Sequence, residues 1–290
     1  MGRICIKTDT IYQLNIKTDI TIVHISDIHF SMDTSSQRMD KIKNKILSIN
    51  PNYIMITGDM IDYPSVIDSS NKIKELVVFL TSLAKTSKVI ISLGNHDIIR
   101  QKDLNFFNKI NDLYNIYVLN NNTYEDEFIY VFGLTLPTDY YYNLAREESV
   151  EILLENLDNC KDKIINLPKK LLKIAMIHSP VKVVDKRVLP KLKEFDLILS
   201  GHTHNGMVPN YMSFLFKENT GLFGPNKKIF PKIAKGKIEK DIDNKKITII
   251  INGAITKLSI RTAKLISKLN FLYDVSINKI IVKKEKRNKI

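Results

Sequence analysis

The sequence predicts an α/β protein in which two sheets pack face to face with helices on the outside. Three observations predict it. Continuous apolar, β-branched runs read as strands buried on both faces, and segments with helical apolar spacing fill the intervals between the first of them. Boxes rich in histidine and aspartate follow these runs, at the strand ends where α/β sheets place their ligand sites. Boxes from both halves must meet to finish one site and no Gly/Ser/Pro linker separates them, so residues 1–290 are expected to form one domain.

The first run, ITIVHIS at 20–26, is followed by Met39, Ile42, Ile46 and Ile49 at helical spacing and then by YIMIT at 53–57. Ile73, Leu76, Val77, Leu80, Leu83 and Ala84 repeat the helical pattern before KVIISL at 88–93. This β-α-β-α-β order carries an expectation of right-handed crossovers. A helix near 103–113, a strand pair near 115–119 and 128–134, and a helix over 145–158 come next. KIAMIH (173–178), DLILS (196–200) and KITIIIN (246–252) make the second half richer in strands.

Composition narrows the class. Hydrophobic residues at 44% and charged residues at 26% are ordinary for a globular chain, with no low-complexity tract or repeat. The net charge of +13 is spread over scattered lysines; only the tail KKEKRNKI at 283–290 is a dense run, read as a solvated end. Cys5 and Cys160 share no metal or disulfide spacing, which fits a reducing compartment. The N-terminus lacks an apolar signal core and ITIIINGAIT at 247–256 is too short to span a bilayer, so a protein that neither crosses the membrane nor is exported by a standard signal is expected.

Five of the six histidines lie in the boxes. Asp27 and His29 are two residues apart at a strand end, where period-2 geometry would project both to one side as ligands of a borderline divalent ion such as Mn, Fe or Zn. The D-x-H pattern alone is a weak signal. Asp59 follows Gly58, whose lack of a side chain permits close backbone approach, so its carboxylate can bridge two ions; it is also placed to cap a helix. In GNHD, Asn95 offers a neutral oxygen, His96 stands as a proton donor, and Asp97 is expected to orient it. His178 ends a strand, and His202 and His204 alternate in SGHTHNG, supplying the remaining imidazoles. His24, inside the first strand, reads as structural.

The ordered set D-x-H, GD, GNHD, H and GHTH over 24–206 resembles the calcineurin-like metallophosphoesterases, and more narrowly a bacterial branch that includes membrane-associated phosphodiesterases and UDP-2,3-diacylglucosamine pyrophosphohydrolases. The resemblance implies a four-layer α/β/β/α sandwich of two mixed sheets, with the signature over 20–206 and further strands in 207–282. It implies that Asp27, His29, Asp59 and His204 hold one metal ion, that Asp59, Asn95, His178 and His202 hold the other, and that His96, with Asp97 as its partner, is the general acid. A metal-bridging hydroxide would be the nucleophile of a phosphodiesterase or pyrophosphohydrolase.

Beyond the boxes, residues 207–235 lack a regular pattern but interleave aromatic residues such as Phe214, Phe216, Phe223 and Phe230 with lysines, a composition suited either to a lipid surface or to a loop packed on the sandwich. Tyr140, Tyr141 and Tyr142 read as pocket wall or core, and Arg100 as a surface residue within possible reach of a phosphate. The expected substrate is a phosphorylated small molecule or a lipid-linked one, with peripheral contact to the inner face of the membrane from the cytoplasm. A phosphomonoesterase acting on nucleotides or phosphoproteins is the alternative enzyme. A nucleic-acid-binding protein lacks the expected aromatic and basic signature.

Overall fold

The computed structural model describes residues 2–13, 16–62, 66–258 and 268–285. The first sheet contains β1 (Ile4–Gln13), β2 (Ile20–Ile25), β3 (Tyr53–Thr57), β4 (Lys88–Ser92), β5 (Ile116–Leu119) and β12 (Val275–Lys284), in the order β1-β12-β2-β3-β4-β5. The second contains β6 (Asn122–Glu125), β7 (Ile129–Leu134), β8 (Leu172–Ile177), β9 (Leu197–Ser200), β10 (Gly236–Ile242) and β11 (Lys245–Ile251), in the order β10-β11-β9-β8-β7-β6. Both sheets are mixed. In the first, only the β12 to β2 pairing is antiparallel, and in the second, β10 to β11 and β6 to β7 are antiparallel.

The unbroken apolar runs are explained by strands that feed two cores at once. Along β2, β3 and β4, Ile22, Met55 and Ile90 point between the sheets, while Val23, Ile54 and Val89, one residue on or back, face the outer helices. The same alternation splits β8 and β9: Ile174, Met176 and Leu199 enter the shared core, and Ala175, Ile177 and Ile198 the outer one. On the first sheet lie α1 (Ser36–Leu47), α2 (Ser70–Ala84) and α3 (Gln101–Ile110); on the second lie α4 (Thr138–Tyr142) and α5 (Glu148–Asn159). This is the four-layer α/β/β/α sandwich that the sequence predicts.

Ser35 and Ser69 occupy the N-caps of α1 and α2, each accepting from a backbone N–H three residues on. Met39, Ile42 and Ile46 form the buried stripe of α1.

Two expectations need correction. Residues 115–119 and 128–134 do not pair: β5 lies beside β4 in the first sheet, and β7 lies between β8 and β6 in the second. The polar strand Asn122–Glu125 is the true neighbour of β7, and the chain crosses between sheets just before it. Lys283 and Lys284 belong to β12, paired with Tyr12 and Gln13, so the charged tail is not wholly a solvated end; its residues 286–290 lie outside the described residues. No helix among the described residues is long and apolar enough to cross a membrane.

Candidate metal centre

Strands β2, β3 and β4 run parallel, as do β7, β8 and β9, so the boxes that follow them gather at one rim. There the backbone leaves strand geometry. Asp27, His29, Asp59, His202 and His204 all have φ between 47° and 67°, the left-handed region that non-glycine residues seldom adopt. The period-2 argument for Asp27 with His29, and for His202 with His204, is therefore corrected: each pair shares a side because left-handed residues re-aim the loop. The loop after β2 is laid along the loop after β3, with N–H groups of Asp27 and His29 donating to the carbonyls of Gly58 and Asp59 at 3.0 Å.

Two glycines make room. A Cβ on Gly58, where φ is +73°, would fall 2.6 Å from Nδ1 of His178 and from the backbone of Gly94, and a Cβ on Gly94 would fall 2.3 Å from Oδ1 of Asp59. Neither position tolerates a side chain while the loops remain interlocked.

Carboxylates and imidazoles converge in two groups that share Asp59. Asp27, His29, Asp59 and His204 each offer one atom within 4.8 Å of the others, and so do Asp59, His178 and His202. Nε2 of His178 lies 3.2 Å from Asp59 and 3.9 Å from Asp27, and Nε2 of His204 lies 3.3 Å from Asp27. The far nitrogens are held by carbonyls: Nδ1 of His178 by Thr57 and Nδ1 of His204 by Lys257, both at 2.7 Å. Such a bond on one nitrogen sets the ring and frees the other for a cation. Both ring nitrogens of His202 and Oδ1 of Asn95 are buried without a protein partner, and Nε2 of His178 faces the Asp59 carboxylate, so these residues could accept an ion.

The electrostatics are those of a basin of buried acid. Burial alone would raise the Asp59 carboxyl, but His178, His96 and His29 hold it well below the usual carboxylate range. Burial would lower the His178 imidazole, yet Asp59 and Asp27 push it up to about 9. His202, buried and beside His178, is driven down to about 3.

Asp97 does not engage the His96 ring. Its Oδ1 accepts from the N–H groups of Met60 and Ile61 and its Oδ2 from that of Gly94, so this buried carboxylate ties the GD loop to the GNHD loop. The carboxylate that meets His96 is Asp62, at 3.2 Å from Nδ1, and it also lies 3.7 Å from Nδ1 of His29. Burial would lower the His96 imidazole, but Asp59, Asp62 and Asp97 raise it. Asp62 is the residue that sequence reasoning passed over, although GDMID contains it three positions after Asp59.

Other candidates take clear places. His24 is buried and bonded to Thr57 Oγ1 at 2.8 Å, and burial lowers it to about 3, a structural residue. Arg100 pairs with Asp103 and Asp68 on the surface. Tyr140 is buried in the core and Tyr142 is exposed, while Tyr141 sets its ring against His202 with centroids 5.2 Å apart. Met207, Phe223, Gly224 and Pro225 of the irregular segment wall a cavity of about 210 Å³ over Asp59, Asn95, His96, His202 and His204. In the same segment, Phe214 is 81% exposed, and Tyr211, Leu215, Ile229 and Phe230 are also exposed.

The chain is 28% identical over 211 residues to an uncharacterized metallophosphoesterase of Campylobacter jejuni, covering 71% of this chain and half of that protein's length. It is 25% identical over 244 residues to the UDP-2,3-diacylglucosamine pyrophosphatase LpxG of Chlamydia muridarum, covering 71% of each. Among solved structures, a dimetal phosphatase from Danio rerio aligns over 83% of this chain and 90% of its own, with 11% identity and a TM-score of 0.42. Residues 20–206, well over half of the chain, match the family described as calcineurin-like phosphoesterase. The chain belongs to the calcineurin-like phosphoesterase family, whose members hydrolyse phosphoester bonds.

Proposed function

We propose that this protein is a phosphodiesterase or pyrophosphohydrolase that works with two divalent metal ions. The observation that carries the reading is the pair of donor groups sharing Asp59, with buried nitrogens and an amide oxygen left unpartnered. Its family uses pairs of divalent ions, and Asp27, His29, Asp59 and His204 would hold one, with Asp59, Asn95, His178 and His202 holding the other. Bound there, the ions supply an acidified water and positive charge against the phosphoryl oxygens.

The rest falls to the protein. With Nδ1 turned to Asp62, His96 has Nε2 left to present a proton to the leaving oxygen in the cavity it lines. Asp62, 3.2 Å from Nδ1, favours the protonated form of the ring. Phe223, Pro225 and Met207 keep one side of the cavity apolar, which disfavours free water and suits a substrate with an apolar portion.

In the same segment Phe214, Leu215, Ile229 and Phe230 are exposed, with Lys217, Lys227, Lys228 and Lys232 interleaved in sequence. Exposed apolar side chains among lysines suit an anionic lipid surface better than bulk water. Together with the likeness to a protein named as a diacylglucosamine pyrophosphatase, this favours a lipid-linked phosphate as substrate, met at the inner face of the membrane from the cytoplasm. The unpaired Cys5 and Cys160 suit such a reducing location. The core shared by both sheets supports reading residues 1–290 as one domain.

A hydrolysis screen of protein loaded with Mn, Fe or Zn tests the reading, using bis-p-nitrophenyl phosphate, nucleotides and lipid-linked pyrophosphates. Cleavage of the diester and of acylated pyrophosphates is expected. Turnover confined to monoesters would replace it with the phosphomonoesterase alternative, and no turnover with any metal would overturn it.

A further inference from the structure

We propose that Tyr141 contacts the substrate, its hydroxyl donating a hydrogen bond to a non-bridging oxygen of the phosphoryl group bound beside His178 and His202. The inference rests on the phosphoesterase reading above. After β7 the chain turns at Pro137 into the short helix α4, where three successive tyrosines meet three environments. Tyr140 is fully buried against the second sheet and Tyr142 is 79% exposed. Tyr141, partly buried, lies with its ring edge-on to His202 at 5.2 Å and 61°, and 6.1 Å from His178.

A phenylalanine would make the same ring contacts, so packing leaves the hydroxyl unexplained. Among the described residues no hydrogen bond engages it. A phenolic O–H is an ordinary hydrogen-bond donor near neutral pH. Donors are what this side lacks: Nδ1 of His178 is already bonded to Thr57, and the hydroxyl of Thr203 donates to the carbonyl of Ala234. A phosphoryl group gains negative charge on its outer oxygens as the bond to the leaving group breaks, and a fixed neutral donor at that edge binds it more tightly as it does so.

Wild type, Tyr141→Phe, Tyr141→Leu and the exposed control Tyr142→Phe, each loaded with Mn, decide the matter. Three quantities are read: metal content, the dissociation constant of inorganic phosphate by calorimetry, and kcat and KM on bis-p-nitrophenyl phosphate. Tyr141→Phe is expected to keep its metals, bind phosphate about tenfold more weakly and lose about tenfold in kcat, the size of a hydrogen bond to a charged acceptor. Tyr142→Phe should match wild type. Loss in Tyr141→Leu with full retention in Tyr141→Phe overturns the proposal, because the ring then serves only to seat His202; loss of metal from Tyr141→Phe overturns it as well. Wild type that neither cleaves the diester nor binds phosphate would instead remove the phosphoesterase reading and this inference with it.

Discussion

Oδ1 of Asp62 lies 3.2 Å from Nδ1 of His96. The two residues come from different loops, and their contact joins a buried anion to the ring best placed to deliver a proton. Asp97, adjacent to His96 in sequence, spends its oxygens on backbone N–H groups instead.

If the pair acts as a unit, Asp62→Asn and His96→Asn should each lower kcat by about 10²-fold or more, and the double variant should be no worse than His96→Asn alone. The loss should grow as the leaving group becomes poorer. Additive losses, or losses equal across a leaving-group series, would leave His96 with substrate positioning only.

The same contact sets a pH dependence. Despite burial, neighbouring carboxylates raise the His96 imidazole, so its proton is retained to higher pH than usual and kcat should fall only as pH climbs past that point. Removing the Asp62 charge in Asp62→Asn takes away one raising influence. The alkaline limb of the kcat profile should therefore move to lower pH, and a limb that stays in place would exclude His96 as the group titrating there.

Metal analysis after reconstitution should return two ions per chain, with Asp59→Asn depleting both and His178→Ala only one. Asp59 is the carboxylate common to the two donor groups, which is why its loss should be the broader. One ion per chain, unaffected by Asp59→Asn, would contradict a shared centre.

At the opposite rim, Asp126 accepts from Lys88 at 2.7 Å, from Tyr53 and Tyr124, and from the N–H groups of Phe128 and Ile129. Burial would raise this carboxyl, but those bonds bring it down to about 2 from 3.8. Its contribution is thus complete above the unfolded value and is lost as pH falls through the folded one. Asp126→Asn should cost about 2 kcal/mol at neutral pH by denaturant unfolding, with the gap closing toward pH 2. A gap that ignores pH would mean that shape, not charge, is what Asp126 provides.

Phe214→Asp with Ile229→Asp changes two largely exposed side chains and should leave the fold intact; Phe216 is avoided because it stacks on Phe230. The double variant should lose binding to vesicles containing phosphatidylglycerol while still cleaving bis-p-nitrophenyl phosphate. Wild type that fails to bind such vesicles at low salt would end the lipid reading.

The strands that carry the boxes were legible because both of their faces are buried, which makes the sequence uniformly apolar. β1 and β10 were not, since each is half-exposed along much of its length and reads as a mixture: ICIKTDTIYQ and GKIEKDI. β12 escaped notice for a related reason, its lysines interrupting an otherwise buried strand. At the site, residue types were readable and backbone was not: the left-handed turns at Asp27 and His204 are marked by no glycine, and aspartate and histidine adopt that region too seldom for their presence alone to announce it. Lys257, buried with its carbonyl on His204, follows no pattern visible in one sequence.

The donor groups are divided between the layers, Asp27, His29, Asp59 and Asn95 extending from the first sheet and His178, His202 and His204 from the second. An ion seated among them is a clasp, retained only while the sheets stay docked. Its binding free energy then adds to that of the whole sandwich, and the unfolding midpoint should climb with the logarithm of free metal. Stripped of metal, the chain must keep Asp27 and Asp59, which repel one another, side by side under an apolar roof. Metal supply would therefore set how long the molecule survives heat or a protease as well as how fast it turns over.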